Sequence, residues 1–199
     1  MQIYNEIDQG TENWQAIRAG RITASDFYTL MGNGETRKHL VYKKACERIV
    51  GKGMKTFKSP EMELGNELEP QARLAYELAT GNNVEQIGFA QLNEYVGCSP
   101  DGLVGEDGII EIKCPNYIYW AEQKISGAKK LYIIQIQFEL YVLNRKWCDF
   151  VLYNEDLGVS IERYARNEET IELIKKEIER ANDDIEAVRK KLLNNQKGE

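Results

Sequence analysis

The residues of this 199-residue chain whose types and spacing could do chemistry are Asp101, Glu111 and Lys113, set within GCSPDGLVGEDGIIEIKCP at positions 97–115. Residues 109–113 alternate and are rich in β-branched side chains, which predicts a strand. On a strand Glu111 and Lys113 share one face, and Ile110 and Ile112 share the other. Gly105-Glu106-Asp107-Gly108 is built from turn formers, so the segment before it is expected to fold back as a hairpin partner. That hairpin brings Asp101 across from Glu111 and gathers two carboxylates and an ammonium at one sheet edge. Carboxylate oxygens suit Mg²⁺ or Mn²⁺, usually with waters and substrate phosphate completing the shell. Such an ion polarises a phosphoryl oxygen and activates water, and a neighbouring lysine orients that water or stabilises developing charge. Together these are parts for phosphodiester hydrolysis. A bare Glu-x-Lys would read as a surface ion pair on an exposed hairpin; the Pro-Asp ahead of the turn weighs against that.

A second cluster lies near the N-terminus. Arg18 and Arg21 are close in sequence to Thr23 and Ser25, one of which stands at the start of a helix. Free N–H groups and the helix dipole favour an anion there, and a guanidinium grips phosphate bidentately. A capped helix with surface arginines is the plainer reading of the same residues.

SPDG followed by EIKCP resembles the core of the PD-(D/E)xK nucleases, in the branch of phage λ exonuclease and related viral recombination and alkaline exonucleases. The likeness spans about residues 14–153. It implies a restriction-endonuclease-like core and a Mg²⁺-dependent (or Mn²⁺-dependent) exonuclease that resects double-stranded DNA 5′ to 3′. The 3′ single-stranded overhangs would feed phage-type recombination by single-strand annealing. The resemblance further implies a ring-shaped homotrimer and a partner single-strand annealing protein, in the cytoplasm of a bacterial host carrying the phage or prophage. By the same match Asp101 and Glu111 hold the ion with help from Glu69 and the backbone carbonyl of Ile112, and Lys113 positions the attacking water. Trp14-x-x-x-Arg18-x-Gly20-x-Ile22-Thr23-Ala24-Ser25 is similar to the segment holding the terminal 5′-phosphate, with Arg18 and Ser25 as ligands. Gln135 aligns with a residue contacting that phosphate, and Gln137 with Tyr141 follows the spacing of the same helix; the plainer reading has both glutamines satisfied by neighbouring backbone. A site-specific endonuclease on the same core, and a non-catalytic module that binds DNA ends, are the alternatives. The intact Asp101, Glu111 and Lys113 argue against the second.

Around these residues the chain reads as one domain over 1–199, α/β (α+β) in class, with a central mixed sheet flanked by helices. After a polar lead-in, a helix starts at Thr11 and ends at Gly20, and another ends at Gly32. Residues 35–58 form a basic helix broken by Gly51-Lys52-Gly53, and between Arg37 and Lys58 the cations Arg37, Lys38, Lys43, Lys44, Arg48, Lys52, Lys55 and Lys58 are opposed only by Glu47. In the family this region lies near the DNA path, so Lys55 or Lys58 could touch the backbone. Ser59-Pro60 opens a helix ending at Gly81; it carries Glu69, with Pro70 a candidate kink. Strands are expected at 84–91 and at 95–103, the latter carrying Asp101. Residues 116–126 suggest a short helix whose Tyr117, Tyr119 and Trp120 suit the core better than a DNA channel. Residues 131–143 are apolar nearly all round, hence a buried helix. Strands at 147–153 and 159–164 follow, and a closing helix spans 167–195.

Composition is ordinary for a globular protein, 42% apolar and 29% charged. No apolar run approaches the ~18 residues of a membrane span. The four cysteines are scattered and read as reduced thiols rather than metal or iron–sulfur ligands, and the single histidine, His39, cannot build a metal site. The net charge of −6 is awkward for a DNA-binding protein, although a local basic surface can bind phosphate on an acidic body.

Overall fold

Pro100 has no N–H to give a β-ladder, and the chain changes sheet around it. The computed structural model, which describes residues 1–54 and 59–195, runs β1 (Gln2–Tyr4), α1 (Glu12–Arg18), β2 (Ile22–Thr23), α2 (Ala24–Leu30), α3 (Glu35–Val50) and α4 (Pro60–Thr80). It continues β3 (Val84–Glu85), β4 (Phe89–Asn93), β5 (Val96–Cys98), β6 (Gly102–Val104), β7 (Gly108–Lys113), α5 (Tyr117–Ser126) and α6 (Lys130–Leu143), and ends β8 (Trp147–Asn154), β9 (Gly158–Ala165) and α7 (Glu168–Asn195). The strands form two mixed sheets, ordered β1-β4-β5-β2 and β3-β6-β7-β8-β9.

Both long strands expected between 84 and 103 are therefore divided. β3 belongs to the five-stranded sheet and β4 to the four-stranded one, and the pair β5 and β6 divides the same way. Gly88, at the first crossing, passes so close to the N-terminal segment that an added Cβ would lie 1.8 Å from the Ile7 carbonyl oxygen. Asp101 is consequently not inside a strand but in the crossing segment just before β6. The polar lead-in also contributes more than expected, since β1 pairs antiparallel with β4.

The hairpin that matters forms as its turn residues require. β6 pairs antiparallel with β7 through Gly102↔Ile110, Leu103↔Ile109 and Val104↔Gly108, so one further step sets Asp101 opposite Glu111. β7 pairs in parallel with β8, and the crossover between them is made of α5 and α6, the kind of connection a parallel pair needs. The alternation of β7 separates two cores. Ile110 and Ile112 pack with Ala72 and Tyr76 of α4, while Ile109 joins the larger cluster around α6. Phe138 of α6 meets Phe27 of α2 at 4.8 Å between ring centroids, and both rings are fully buried; each such burial contributes about 1.5–3 kcal/mol. α4 runs unbroken across Pro70.

α3 corrects one expectation. Its cations are largely answered by acids far away in sequence, not left as a free basic face. Arg37 pairs with Asp184 at 2.6 Å and Arg48 with Glu186 at 2.9 Å, both on α7. Lys44, 3% exposed, pairs with Asp26 at 2.7 Å. These three residues fasten α3 to α7 and α2, which withdraws them from any nucleic-acid surface. Lys55 and Lys58 lie outside the described residues.

Candidate active site

At the end of β7 the backbone and side chains of both hairpin strands interlock. The Asp101 carboxylate accepts the Ile112 backbone N–H at 2.6 Å. In a strand the N–H and C=O of one residue face the same edge, so the Ile112 carbonyl also points to the Asp101 side. β6 begins only at Gly102, opposite Ile110, and supplies no strand residue there. Glu111 is 1% exposed, which excludes the plain surface ion pair. Its Oε1 accepts from Lys113 Nζ at 2.5 Å and from Gln135 Nε2 at 2.6 Å. Its Oε2 is buried with no hydrogen-bond partner, a costly arrangement for a carboxylate unless something positive is to arrive.

Electrostatics mark the same place. Burial, and then the charges of Glu111 and Glu69, push the Asp101 carboxyl well above the usual carboxylate range. Burial alone would depress Lys113, but Glu111 and Asp101 outweigh it and the ammonium is held more firmly protonated than usual. Lys113 also lies over the Tyr132 ring, 5.0 Å from its centroid. Glu69, on α4, is raised by burial despite its ion pair with Arg73. Asp101, Lys113, Tyr132 and Glu69 open onto a cleft of about 630 Å³ whose lining also includes Gly65 and Ile112.

The donors fit a hard divalent cation. Among the described residues no three His, Cys, Asp or Glu side chains come together as a ready cage, and Glu69 is paired with Arg73. A Mg²⁺ ion keeps several waters and needs only one or two carboxylates. Asp101 and the free Oε2 of Glu111 could supply these, with Ile112 beside Asp101 and Glu69 in the cleft wall.

A second cluster stands behind Asp101. Arg18 Nη2 donates to Ser25 Oγ at 2.9 Å and to Thr23 Oγ1 at 3.4 Å, and Nη1 to Ser99 Oγ at 3.4 Å. Its guanidinium lies 4.2 Å from the centroid of the Trp14 ring, and Trp14 Nε1 donates to Ser99 Oγ at 2.8 Å. Burial lowers the Arg18 pKa from its usual value, with Asp26, Cys98 and Glu139 opposing, yet a guanidinium stays charged. Arg18 and Ser25 are thus brought together, and Ser99 joins them although no role was expected for it. The signal was its position two residues before Asp101.

Gln135 and Gln137 part company. Gln135 sits at the carboxylates, between Glu111 and Glu139. Gln137 is 3% exposed; its Nε2 donates to the Ala165 carbonyl at 2.8 Å and its Oε1 accepts the Asn167 N–H at 2.8 Å. It ties the end of β9 to the start of α7 and has no access to a ligand, so its assignment to DNA binding is withdrawn. Two further residues escaped the sequence reading: Arg73, which holds Glu69 and reaches the Asp101 carbonyl at 3.5 Å, and Glu139, a wholly buried carboxyl on α6. Among the described residues no helix is long and apolar enough to cross a membrane.

The profile of the YqaJ-like viral recombinase domain matches residues 13–146. Among solved structures, an alkaline exonuclease (LHK-Exo) from Laribacter hongkongensis is 34% identical over 94% of this chain and 98% of that one, with a TM-score of 0.87. The complex of LHK-Exo with dAMP, at the same identity and coverage, gives 0.88. A phage-related exonuclease from Haemophilus somnus 129PT shares the fold at 19% identity, covering 86% of this chain and 96% of that one, with a TM-score of 0.69. No curated protein sequence matches significantly.

Proposed function

The chain belongs to the YqaJ-like viral recombinase domain family and is a nuclease of it; on that premise we propose that it resects duplex DNA 5′ to 3′ from an end with a divalent cation, Mg²⁺ or Mn²⁺. The observation that carries this reading is the joining of two clusters by Ser99-Pro100-Asp101. Ser99 belongs to the Arg18 cluster and Asp101 to the carboxylates, and two residues of chain span at most ~7 Å. A terminal 5′-phosphate gripped by Arg18, Ser25 and Ser99 therefore leaves the next phosphodiester within reach of Asp101 and Glu111. An enzyme cutting at internal sites has no use for such a pocket. The occurrence of dAMP in the LHK-Exo complex fits a site that handles mononucleotide units.

When bound, the cation would supply Lewis acidity toward the phosphoryl oxygen and an acidified water. The chain's own groups do the rest. Asp101, whose carboxyl burial and Glu111 push up, would give up its proton to hold the cation beside Glu111, since a cation and a proton compete for the same oxygens. Lys113, held protonated beside Glu111, hydrogen-bonds the attacking water or the charge that develops on the phosphate. Arg18 fixes the end of the strand, which converts an encounter into a set geometry. Release of 3′ single strand for an annealing protein, and action as a ring-shaped homotrimer, belong to the same proposal. α5 exposes Tyr117, Ile118 and Ile125, apolar surface of the kind that subunit contacts cover.

The test is digestion of linear duplex labelled at either end, beside covalently closed circular duplex, with Mg²⁺ or with chelator. Label is expected to leave as mononucleotide from 5′ ends of linear DNA only, with circles intact. Cut circles would favour an endonuclease on this core. Retention of DNA ends without any cleavage would favour a binding module.

A further inference from the structure

Glu139 is 0% exposed, on a helix turn whose neighbours Ile136, Phe138, Leu140 and Val142 are all buried and apolar. A carboxyl in such a place is costly unless it is hydrogen-bonded or paired. Among the described residues no cation lies within ion-pair distance of it, and its Oε2 has no hydrogen-bond partner. The contact it does make is with Gln135, one turn earlier: Glu139 Oε1 accepts from Gln135 Nε2 at 3.3 Å, and that same nitrogen donates to Glu111 Oε1 at 2.6 Å.

This geometry bears on the orientation of an amide. The terminal torsion of glutamine is soft and roughly two-fold, so Gln135 by itself has two ways to face Glu111, by its NH₂ or by its carbonyl oxygen. With a carboxyl on each side, only the NH₂ orientation avoids setting oxygen against oxygen. Gln135 and Lys113 then both occupy Glu111 Oε1, and Oε2 is left as the oxygen without a partner. We propose that Glu139 is a positioning residue for the cation site: it locks the Gln135 amide, which in turn turns Glu111 so that Oε2 is presented to the ion. The inference rests on Glu111 being a ligand to that ion.

The experiment is calorimetric titration of Mn²⁺ into the DNA-free full chain, comparing wild type with Gln135→Leu, Glu139→Met, the double variant, Glu139→Gln and the control Glu111→Gln. Loss of a group that orients a metal ligand typically weakens binding by about 10- to 100-fold. Glu139→Met and Gln135→Leu are each expected to weaken Mn²⁺ binding by about tenfold or more, and the double variant no further than the weaker single, because both act through one link. Glu139→Gln, which keeps an acceptor for Gln135, restores most of the affinity. An unaltered affinity in Glu139→Met, a double variant whose loss is the product of the singles, or a Glu139→Gln as weak as the methionine would each overturn the proposal. Should the methionine variant fail to fold, Glu139→Asn, which withdraws the acceptor by about one carbon–carbon bond (~1.5 Å), takes its place. If Glu111→Gln itself binds Mn²⁺ like wild type, it is the reading of Glu111 as a ligand that fails, not the link to Glu139.

Discussion

Replacing Arg18 by alanine separates end recognition from chemistry. The guanidinium makes a 2.9 Å bond to Ser25 and two longer contacts to Thr23 and Ser99, and it is stacked on Trp14, so it is already oriented and partly stripped of water before any substrate arrives. A charge-assisted hydrogen bond contributes about 1.5–3 kcal/mol, and each ~1.4 kcal/mol is tenfold in affinity. Loss of even one such bond to a terminal phosphate therefore costs roughly ten- to 150-fold, and a bidentate grip costs more. A 5′-hydroxyl end offers nothing comparable and is expected to be processed at nearly the wild-type rate. The assay is kcat/KM on otherwise identical duplexes carrying 5′-phosphate or 5′-hydroxyl, wild type against Arg18→Ala. The expected result is a ratio that collapses toward one through loss on the phosphorylated substrate alone, with Arg18→Lys in between because it keeps the charge and loses the fork. An unchanged ratio would refute the phosphate pocket. An equal fall on both substrates would make Arg18 a scaffold for Trp14, Ser25 and Ser99.

Lys113→Ala is expected to slow cleavage by about 10²–10³-fold, the usual cost of removing one group that stabilises transition-state charge, while Mn²⁺ binding measured by calorimetry is retained; lost binding would contradict the assigned role. Gln137→Leu removes the hydrogen bonds to the Ala165 carbonyl and the Asn167 N–H, each worth about 0.5–1.5 kcal/mol. A thermal melt should drop by several degrees with the end-phosphate preference intact, and a changed preference would return Gln137 to the DNA site. Asp101→Asn should stabilise the cation-free protein in a pH-dependent way. The folded pKa of Asp101 is raised above its unfolded value, so its favourable contribution is present below about pH 4 and is lost as pH climbs through the folded pKa. The melting-temperature advantage of the variant in chelator should accordingly grow from acid toward neutral pH, and a flat difference would show that burial and the neighbouring carboxylates do not raise Asp101.

What could be read from residues alone was local. The turn formers at 105–108 and the alternation of 109–113 determine a hairpin, and its register carries Asp101 to Glu111 without further information. The cap at Asn167, whose Oδ1 accepts the Thr170 N–H at 2.8 Å, is equally local. The rest depended on partners distant in sequence. The residue types of 84–91 say that it is extended but not that its halves join different sheets. A run of cations at 37–48 looks free until Asp184 and Glu186 are seen beside it, 147 and 138 residues after Arg37 and Arg48. Gln137 and Glu139 lie on one apolar helix with the same burial; only the tertiary contacts, to the backbone in one case and to the Gln135–Glu111 pair in the other, tell them apart.

The central claim is that Asp101 and Glu111 form a divalent-cation site for strand cleavage. The most direct measurement is Mn²⁺ titration of the DNA-free protein against Glu111→Gln, an isosteric change that keeps the buried hydrogen-bonding shape and removes the charge. Saturable binding in wild type, absent or weakened by about two orders of magnitude in the variant while its far-ultraviolet circular dichroism is unchanged, is the expected result. Equal Mn²⁺ binding by the two proteins would contradict the account.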